Sequence, residues 1–423
     1  MAATDEEAGL RRFYDNDPIE KAEIADNDII PMTDMSKNKD VRVSYGDLKD
    51  KVTEDALSNS EVIENIPDAS LKTLADKNFE IVKPTLNVEN RNTIASEITR
   101  FEAISAGAGA AVVMRDTNGV IDNMFKIPRF NLEDIDPSGA MGYGPHPAFI
   151  SNGVVKDYIY VAQYQASKDA NNRAKSVYNG TPWVSINFDD ARAACLAKNA
   201  GSGTIMVGAN ENSLTEIEGK YHLISTWDWA AIAFWVRKMI GTEPVGNVSS
   251  NAAVGTGSGG VTYAHNRKDN GIFDLVGNVW EWNDGLKQDS NGKIRLLNDN
   301  NVDKMNSEGE DDWLECGNGY STFVDSGIAS GSGGSTGWMD TFRNVGNDST
   351  AEKRKLLTAA LVRPHEDTSK FAMSGYVWYN TGERMPIRGG AWAHGAYAGL
   401  GALILDLERS YSAADLGFRF AFL

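Results

Sequence analysis

The chain has 423 residues, which is too long for one compact core, so two or three domains are expected. Its 41 lysines and arginines against 59 aspartates and glutamates give a net charge of −18, and no basic cluster is visible. This balance argues against nucleic-acid binding as the main activity. The longest apolar runs, such as 229–236, are too short for membrane insertion.

The N-terminus has neither a basic start nor an apolar segment, so no secretory signal peptide is expected. If the protein acts outside a cell, it must leave by another route, for example within a particle released by lysis. Two cysteines, Cys195 and Cys316, are too few for a disulfide framework.

Residues 1–55 are polar and acidic and contain one pattern typical of a β-hairpin. Ile29 and Ile30 begin an extended run, residues 41–45 alternate between apolar and polar side chains, and a turn is predicted at 36–38. We interpret residues 1–55 as an attachment module.

Residues 56–120 mix polar helical and short extended stretches, and we assign them to a connecting region. The Gly/Ala-rich segment 106–111 lacks the Lys-Ser/Thr ending of a phosphate loop, so a turn or a tight packing site is predicted there. From residue 121 short strands, two helices and long Gly/Ser/Asn loops follow, and residues 121–423 are predicted to form one α+β domain. A strand is predicted at 158–164.

The first predicted helix spans 188–199. Asn187 precedes it as a cap, with Asp190 in its first turn, and Gly201 lies just past its end. Its apolar side includes Cys195, so that thiol is expected to be buried.

The second predicted helix spans 226–240. Ser225 and Asp228 form a capping-box pattern, and Gly241 ends the helix. Because tryptophans and other apolar side chains surround it, this helix is expected to be central and buried.

Residues 277–282 place two tryptophans around a carboxylate in a turn. Backbone oxygens of Val276, Gly277 and Val279 with the Glu281 carboxylate would suit a hard cation such as Ca²⁺. Alternatively, the tryptophans anchor the core and Glu281 caps loop amides. Both interpretations stay open, and we expect no cofactor other than calcium.

No enzymatic motif emerges. The five histidines have no zinc-ligand spacing, and no Gly-x-Ser-x-Gly elbow occurs. Residues 282–284 read Trp-Asn-Asp, as in the calcium triplet of sugar-binding C-type lectins, but the upstream Glu-Pro-Asn or Gln-Pro-Asp is missing. We therefore predict a binding protein with no catalytic residues.

The last 36 residues, 388–423, contain framework-like residues around a stretch with no secondary-structure period. The framework-like residues are Arg388, Gly389, Gly390, Trp392, Gly417, Phe418 and Arg419. Between them lie small, aromatic and apolar side chains that fit neither an amphipathic helix nor a strand, apart from alternating leucines at 403–407. Exposure of this stretch is therefore predicted.

Four ordered segments, 225–233, 277–282, 388–392 and 417–419, resemble the formylglycine-generating-enzyme type of C-type-lectin fold. Within that superfamily the chain is similar to the variable proteins of diversity-generating retroelements. The resemblance covers about 125–423. It implies a C-type-lectin-like domain with two helices packed on short antiparallel strands, and a hypervariable segment at 388–423.

The resemblance implies that twelve positions vary and contact ligand. They are Ala391, Ala393, His394, Ala396, Tyr397, Ile404, Asp406, Leu407, Tyr411, Ala413, Ala414 and Asp415. In these retroelements mutation targets adenines, mainly in AAC codons. All twelve residues belong to the set that such codons reach, which excludes Lys, Gln, Glu, Met and Trp.

The resemblance, together with the likeness of residues 28–48 to modules of phage tail-fibre and collar proteins, implies a phage receptor-binding protein. It would belong to the virion tail, act at the host cell surface and assemble as a homotrimer. Its ligand would be a protein or glycan on a bacterium. The alternatives are a cellular surface-display protein with the same domain, a fixed-specificity lectin and a formylglycine-generating oxidase. The oxidase is disfavoured because no cysteine follows Cys316.

Overall fold

The computed structural model describes residues 29–34, 39–44, 109–306, 313–318, 333–334, 350–365, 371, 373–380 and 382–423. The chain separates into two compact units, residues 1–106 and 107–423.

The first unit contains the predicted hairpin. Strands β1 (Ile29–Asp34) and β2 (Lys39–Ser44) pair antiparallel, with Ile29 opposite Ser44 and Asp34 opposite Lys39. The hairpin prediction is confirmed. The predicted turn and the connecting region up to residue 108 lie outside the described residues.

The second unit begins earlier than the sequence analysis placed it. Strand β3 (Ala110–Arg115) pairs along its whole length with β4 (Ile121–Pro128) in an antiparallel hairpin. The predicted boundary at residue 120 falls between these two paired strands, so β3 belongs with the C-terminal unit. Of the Gly/Ala-rich segment, the structure describes residues from Gly109 on, and Gly109 is tightly packed, because a Cβ added there would lie 2.2 Å from the Phe125 ring.

The other elements of this unit are mostly short. The α-helices given by the described residues are α1 (Leu132–Ile135), α2 (Phe188–Leu196), α3 (Thr226–Met239), α4 (Val302–Asn306) and α5 (Ala351–Ala359). The strands up to the middle of the unit are β5 (Ile150–Ser151), β6 (Val154–Val155), β7 (Tyr158–Ala162), β8 (Ser167–Lys168), β9 (Ala174–Lys175), β10 (Met206–Gly208), β11 (Thr215–Glu216) and β12 (Tyr221–Leu223). The later strands are β13 (Trp280–Trp282), β14 (Leu286–Gln288), β15 (Lys293–Leu297), β16 (Trp313–Asn318), β17 (Gly333–Gly334), β18 (Val377–Tyr379), β19 (Met385–Gly389), β20 (Gly399–Leu407), β21 (Leu416–Phe418) and β22 (Phe420–Phe422).

Among the described residues, the largest sheet has seven strands in the order β11-β10-β3-β4-β7-β22-β12. Every neighbouring pair in it is antiparallel. The last strand of the chain, β22, lies between β7 and β12, with Phe422 opposite Tyr160 on one side and Tyr221 on the other. The C-terminus is therefore an interior strand of this sheet.

A second sheet in the described part of the chain has the order β17-β18-β20-β19-β13-β21. It is mixed, because β18 runs parallel to β20 and β13 runs parallel to β21. This corrects the expectation of purely antiparallel strands. A smaller antiparallel sheet joins β14, β15 and β16. The unit as a whole is an α+β fold dominated by sheets.

Helix α2 begins as predicted. The side chain of Asn187 accepts a hydrogen bond from Asp190 N at 2.8 Å. The α-helix ends at Leu196 and a 3-10 turn continues to Asn199, so the predicted span covers both. Cys195 is fully buried, as expected.

Helix α3 has the predicted capping box. Ser225 Oγ accepts from Asp228 N at 3.0 Å, and the Asp228 carboxylate accepts from Ser225 N at 2.9 Å. Two tryptophans of the helix donate indole hydrogen bonds to strands of different sheets, Trp227 to Leu297 O and Trp229 to Leu400 O, each at 2.9 Å. The helix is buried along most of its length, because these contacts cover it from two sides.

The sequence analysis did not identify α5. Four of its nine residues are charged, Leu357 is its large fully buried side chain, and Thr350 caps it. Among the described residues, no helix has the length and apolar character needed to cross a membrane.

Candidate ligand-binding surface

The twelve predicted variable positions fall on two loops and on the strand between them. The first loop follows β19 at 390–398, β20 covers 399–407, and the second loop spans 408–415. Five of the positions are exposed: Ala393, Ala396, Tyr397, Tyr411 and Ala414. Five more are half-buried: His394, Asp406, Leu407, Ala413 and Asp415.

Two positions differ from the prediction of exposure. Ala391 is 1% exposed and Ile404 is 4% exposed, and both belong to the main core cluster. Ile404 lies on β20 between Trp378 of β18 and Ile387 of β19, so neighbouring strands cover it on both sides. If these two positions vary, their side chains change the packing beneath the surface rather than the atoms exposed on it.

The first loop is fixed by its main chain. Trp392 N donates to Asn278 O at 3.1 Å, Trp392 O accepts from Ser250 N at 2.8 Å, and Gly395 N donates to Val248 O at 2.7 Å. The start of the loop requires a glycine, because Gly390 has φ +95° and an added Cβ would lie 2.4 Å from the Ala398 Cβ.

The second loop is fixed in the same way. The carbonyls of Arg409, Ala413 and Asp415 accept from Phe188 N at 3.1 Å, Ser185 N at 2.9 Å and Trp280 N at 2.8 Å respectively. Main-chain hydrogen bonds do not depend on side-chain identity. Both loops can therefore keep the same backbone conformation while the side chains on them change.

A group of aromatic rings borders the first loop. Four aromatic rings surround the ring of Tyr376. The distances between ring centroids are 5.0 Å to Tyr397, 6.2 Å to Trp280 and to Trp378, and 6.5 Å to His394. Such centroid separations are those of favourable aromatic pairs. We call Trp280, Tyr376, Trp378, His394 and Tyr397 the aromatic wall.

The sequence analysis missed part of this wall. Tyr376 and Trp378 are half-buried and lie before residue 388, outside the segment that drew attention. The signal was the spacing of Tyr376 and Trp378 around Val377, which places both rings on one face of a strand. Trp280, a core anchor in one of the two interpretations of residues 277–282, is buried at the base of the wall.

Two carboxylates lie near Tyr376. Burial, with added contributions from the charges of Asp406 and Asp415 and from Tyr397, raises the pKa of Tyr376 to about 12. Burial also raises the pKa of Asp406, and its Oδ1 is a buried atom without a hydrogen-bond partner.

His394 contributes no positive charge at neutral pH. Burial lowers its pKa, although the charge of Asp415 and a backbone hydrogen bond act in the opposite direction. Its two ring nitrogens face N–H groups, Ala391 N at 3.3 Å from Nδ1 and Trp280 Nε1 at 3.4 Å from Nε2. A neutral imidazole accepts at one nitrogen and a protonated one at neither, so these neighbours disfavour protonation.

The carboxylate expected to bind calcium has another partner. Glu281 and Arg419 are almost completely buried, and the guanidinium donates to both carboxylate oxygens at 2.8 and 3.0 Å. Gln165 Nε2 donates to the same carboxylate at 2.9 Å and to Val279 O at 2.9 Å, and it lies 3.5 Å from Gly277 O. Three of the four expected ligands, Glu281, Gly277 and Val279, thus surround an amide N–H₂ group, and the Val276 carbonyl is not among its contacts.

As placed, these residues do not fit a cation, because Arg419 already neutralises Glu281 and the Gln165 amide fills the space among the carbonyl oxygens. Among the described residues, no group of three or more His, Cys, Asp or Glu side chains is placed to hold a metal ion. Calcium binding through Glu281, Val276, Gly277 and Val279 stays a prediction, and it requires Gln165 and Arg419 to give way.

The two thiols are buried and unpaired. Burial raises the pKa of Cys316 to about 11 and holds the pKa of Cys195 well above its ordinary value. A reactive cysteine needs a lowered pKa and some exposure. Neither thiol has these properties.

No protein-family model matches the chain, and no curated protein matches it. Three similar solved structures are Treponema denticola variable protein 1 and two variants of the Major Tropism Determinant, P3c and I1. The first is 14% identical with a TM-score of 0.31, over 73% of this chain and 98% of that one. The P3c variant is 10% identical with a TM-score of 0.30, and the I1 variant is 10% identical with a TM-score of 0.28. Each covers 74% of this chain and 72% of its own. At these scores the likeness carries no argument about fold or function.

Proposed function

We propose that the C-terminal unit is a C-type-lectin-like ligand-binding domain whose loops 390–398 and 408–415 display a diversified surface. The observation that carries the proposal is the anchoring of both loops through main-chain hydrogen bonds to residues 185–188, 248–250, 278 and 280. Because substitutions at exposed positions usually change stability by less than about 0.5 kcal/mol, such loops tolerate many side chains on one fold.

A pair of libraries tests this proposal. One randomises the exposed and half-buried positions 393, 394, 396, 397, 411, 413, 414 and 415; the control randomises eight buried positions of β20, β21 and β22. Cell-surface display followed by protease treatment measures the folded fraction of each library. We expect most members of the first library and few of the control to resist protease. Equal losses in both would contradict the proposal.

The same first library tests ligand binding directly. Sorting its protease-resistant members against lysozyme, a basic soluble protein, should yield binders whose sequences differ at the two loops. If repeated sorting enriches no binder while the library stays folded, the surface does not serve recognition.

The biological setting belongs to the proposal as well. We propose attachment of a phage to a protein or glycan on a bacterial surface, with residues 1–55 joining the virion and three copies assembled together. The support is the resemblance of residues 28–48 to short tail-fibre modules, and the gain in strength when several weak contacts engage one surface. Light scattering of the full-length protein at micromolar concentration should give a trimer mass, and a monomer mass would contradict the assembly.

A further inference from the structure

Two stretches of the C-terminal unit, residues 176–188 and 244–266, contain no Asp, Glu, Lys or Arg, although these make up 24% of the chain. Both stretches reach the surface. Their exposed apolar side chains include Tyr178, with 59% of its surface accessible, and Val254, with 38%. Exposed polar and small residues accompany them at Ser249, Asn251 and Ala252. A surface poor in charge that carries an exposed aromatic ring has the composition found at the centre of protein–protein interfaces.

The two uncharged stretches contact each other. Asn179 N donates to Thr256 O at 2.8 Å, and Thr256 N donates to Gly180 O at 2.9 Å. The ring of Tyr178 lies against the same turn, because a Cβ added to Gly257 would lie 3.2 Å from it. The stretches therefore meet beside Tyr178.

The second stretch borders the first loop, 390–398. Residues 248–250 bond to that loop through the main chain. Asn278 makes another link, because its side chain accepts from Val254 N at 2.9 Å and donates to Val254 O at 3.2 Å, while its own carbonyl accepts from Trp392 N at 3.1 Å. Since Asn278 is fully buried, it fixes Val254 next to the first loop.

The first stretch borders the second loop, 408–415. Ser185 N donates to Ala413 O at 2.9 Å. Close to this bond the chain packs tightly, because a Cβ added to Gly417 would lie 2.8 Å from Trp183 O. A ligand that covers both loops therefore meets the uncharged stretches as well.

The predicted variable positions alone offer little area to a protein ligand. Ten of them keep some exposure, and three of the five exposed ones are alanines. A protein–protein interface of standard size uses about 20–30 residues on each side. Fixed residues beside the loops must supply the rest of the contact, and Tyr178 is the exposed aromatic ring of the two uncharged stretches.

We propose that residues 178–183 and 248–254 form a constant flank of the ligand-binding surface and contact a protein ligand beside the variable loops. Tyr178 supplies a large, rigid contact at low entropic cost, and Ser249 and Asn251 supply hydrogen bonds that adapt to different partners. The inference rests on the proposed function, because it gives the diversified loops a fixed neighbour. It predicts that one tyrosine strengthens binding by proteins whose loops differ.

The test uses full-length proteins that carry loops selected for lysozyme binding from the library proposed above. Three binders with unrelated loop sequences each receive Tyr178→Ser or Ala252→Arg, and the Kd for lysozyme is measured by biolayer interferometry. The first change removes the ring, and the second adds a bulky side chain with the same sign of charge as lysozyme. We expect each change to weaken binding about tenfold or more in at least two of the three binders.

The controls change similarly exposed residues elsewhere. They are Tyr143→Ser, on the loop after α1, and Ala200→Arg, beyond the end of α2. Both should leave the Kd nearly unchanged, because they add or remove the same groups outside the flank. A control that weakens binding as much as its partner variant would overturn the inference.

Thermal melts of the same proteins separate folding from binding. Folded Tyr178 and Ala252 variants that bind lysozyme as before in two or more binders would overturn this inference and leave the display surface standing. If Tyr178→Ser melts early, Ala252→Arg decides alone, because it changes an exposed side chain. A library that yields no lysozyme binder would overturn both proposals. A lower light-scattering mass for Tyr178→Ser than for the wild type would assign the flank to contacts between copies of this chain, and would also overturn the inference.

Discussion

Residues 391–415 and 416–423 are adjacent in the chain, yet the fold uses their side chains in opposite ways. In the second stretch every residue is buried, and Arg419 pairs with Glu281 of the neighbouring strand β13. In the first stretch ten of the twelve predicted variable positions keep some exposure, and main-chain bonds fix the loops. Main-chain bonds hold both stretches, but only in the first do side chains stay available for recognition, because those of the second pack in the core.

The largest effect should come from breaking the buried ion pair of the framework. Glu281→Gln preserves shape but removes the carboxylate to which Arg419 is hydrogen-bonded, and removing one partner of a buried pair costs about 3–5 kcal/mol. Urea denaturation measures the loss. The matched control is Glu408→Gln, which breaks the more exposed contact with Arg384 and should cost less than about 1 kcal/mol. Equal losses of unfolding free energy in the two variants would contradict the distinction between the buried framework and the exposed surface.

A buried histidine of the framework should make stability depend on pH, and the half-buried histidine of the surface should do so much less. Burial lowers the pKa of His146 to about 4. A histidine in the unfolded chain has a pKa of about 6.5 and therefore binds its proton first as pH falls. The free energy of unfolding should then decrease between pH 6.5 and 4, by about 3 kcal/mol for this residue.

The measurement is the free energy of unfolding across that pH range for the wild type, His146→Gln and His394→Gln. His146 Nδ1 accepts from Ala148 N and Nε2 lies 3.1 Å from Ala359 O, contacts that suit the neutral ring. We expect the His146 variant to lose the contribution of that residue and to retain a contribution from His265, whose pKa burial lowers to about 3, whereas the His394 variant should keep both. Parallel curves for wild type and His146→Gln would contradict the assignment.

Calcium binding gives a third test of the contrast between residues 391–415 and 416–423, because the predicted calcium site uses the Glu281 carboxylate that pairs with Arg419. A cation at Glu281 would stabilise the wild type by about 2.7 kcal/mol at a concentration one hundred times its Kd. If the calcium prediction holds, excess chelator lowers the Tm of the wild type but not of Glu281→Gln, whereas the contacts of Arg419 and Gln165 with Glu281 predict no change. An unchanged wild-type Tm would contradict the calcium prediction and leave Glu281 with Arg419 as its sole charged partner among the described residues.

Ile404 should behave as part of the framework despite its place among the predicted variable positions. It is 4% exposed and packed between Trp378 and Ile387. Ile404→Val should cost about 1 kcal/mol, the usual loss for one buried methylene. Urea denaturation resolves this change, and a loss below about 0.3 kcal/mol would place Ile404 on the display surface after all.

The sequence predicted the local parts of this structure well. Caps such as Asn187 and Ser225 fix helix starts through contacts within three residues, so a single stretch of sequence contains the necessary information. The hairpin β1–β2 was predictable for the same reason. The exposure of Tyr397 and Tyr411 was predictable because their segment has no secondary-structure period. The burial of Cys195 was predictable because it lies on the apolar side of a predicted helix.

The remaining features depend on contacts between distant parts of the chain. The burial of Ile404 arises because β18 and β19 flank β20, and the pairing of Glu281 with Arg419 joins residues 138 positions apart. Tyr376 joins the surface because its ring contacts Tyr397 and His394. No local sequence pattern specifies these long-range contacts. For this reason the sequence analysis missed part of the aromatic wall and proposed Glu281 as a calcium ligand.

The most direct test of the central claim is a thermal-melt series over seven single alanine substitutions. His394, Tyr397, Tyr411 and Asp415 represent the display surface, and Arg388, Trp392 and Phe418 represent the framework. Each surface substitution should cost less than about 0.5 kcal/mol. Phe418→Ala should cost about 3–5 kcal/mol because that ring is fully buried, and Arg388→Ala should lower the Tm clearly because it removes a buried guanidinium bonded to Thr226, Ala360 and Leu361. Trp392, which is half-buried, should fall between the groups. Surface variants that melt as early as Phe418→Ala would show that residues 391–415 are core, and the proposed display surface would be wrong.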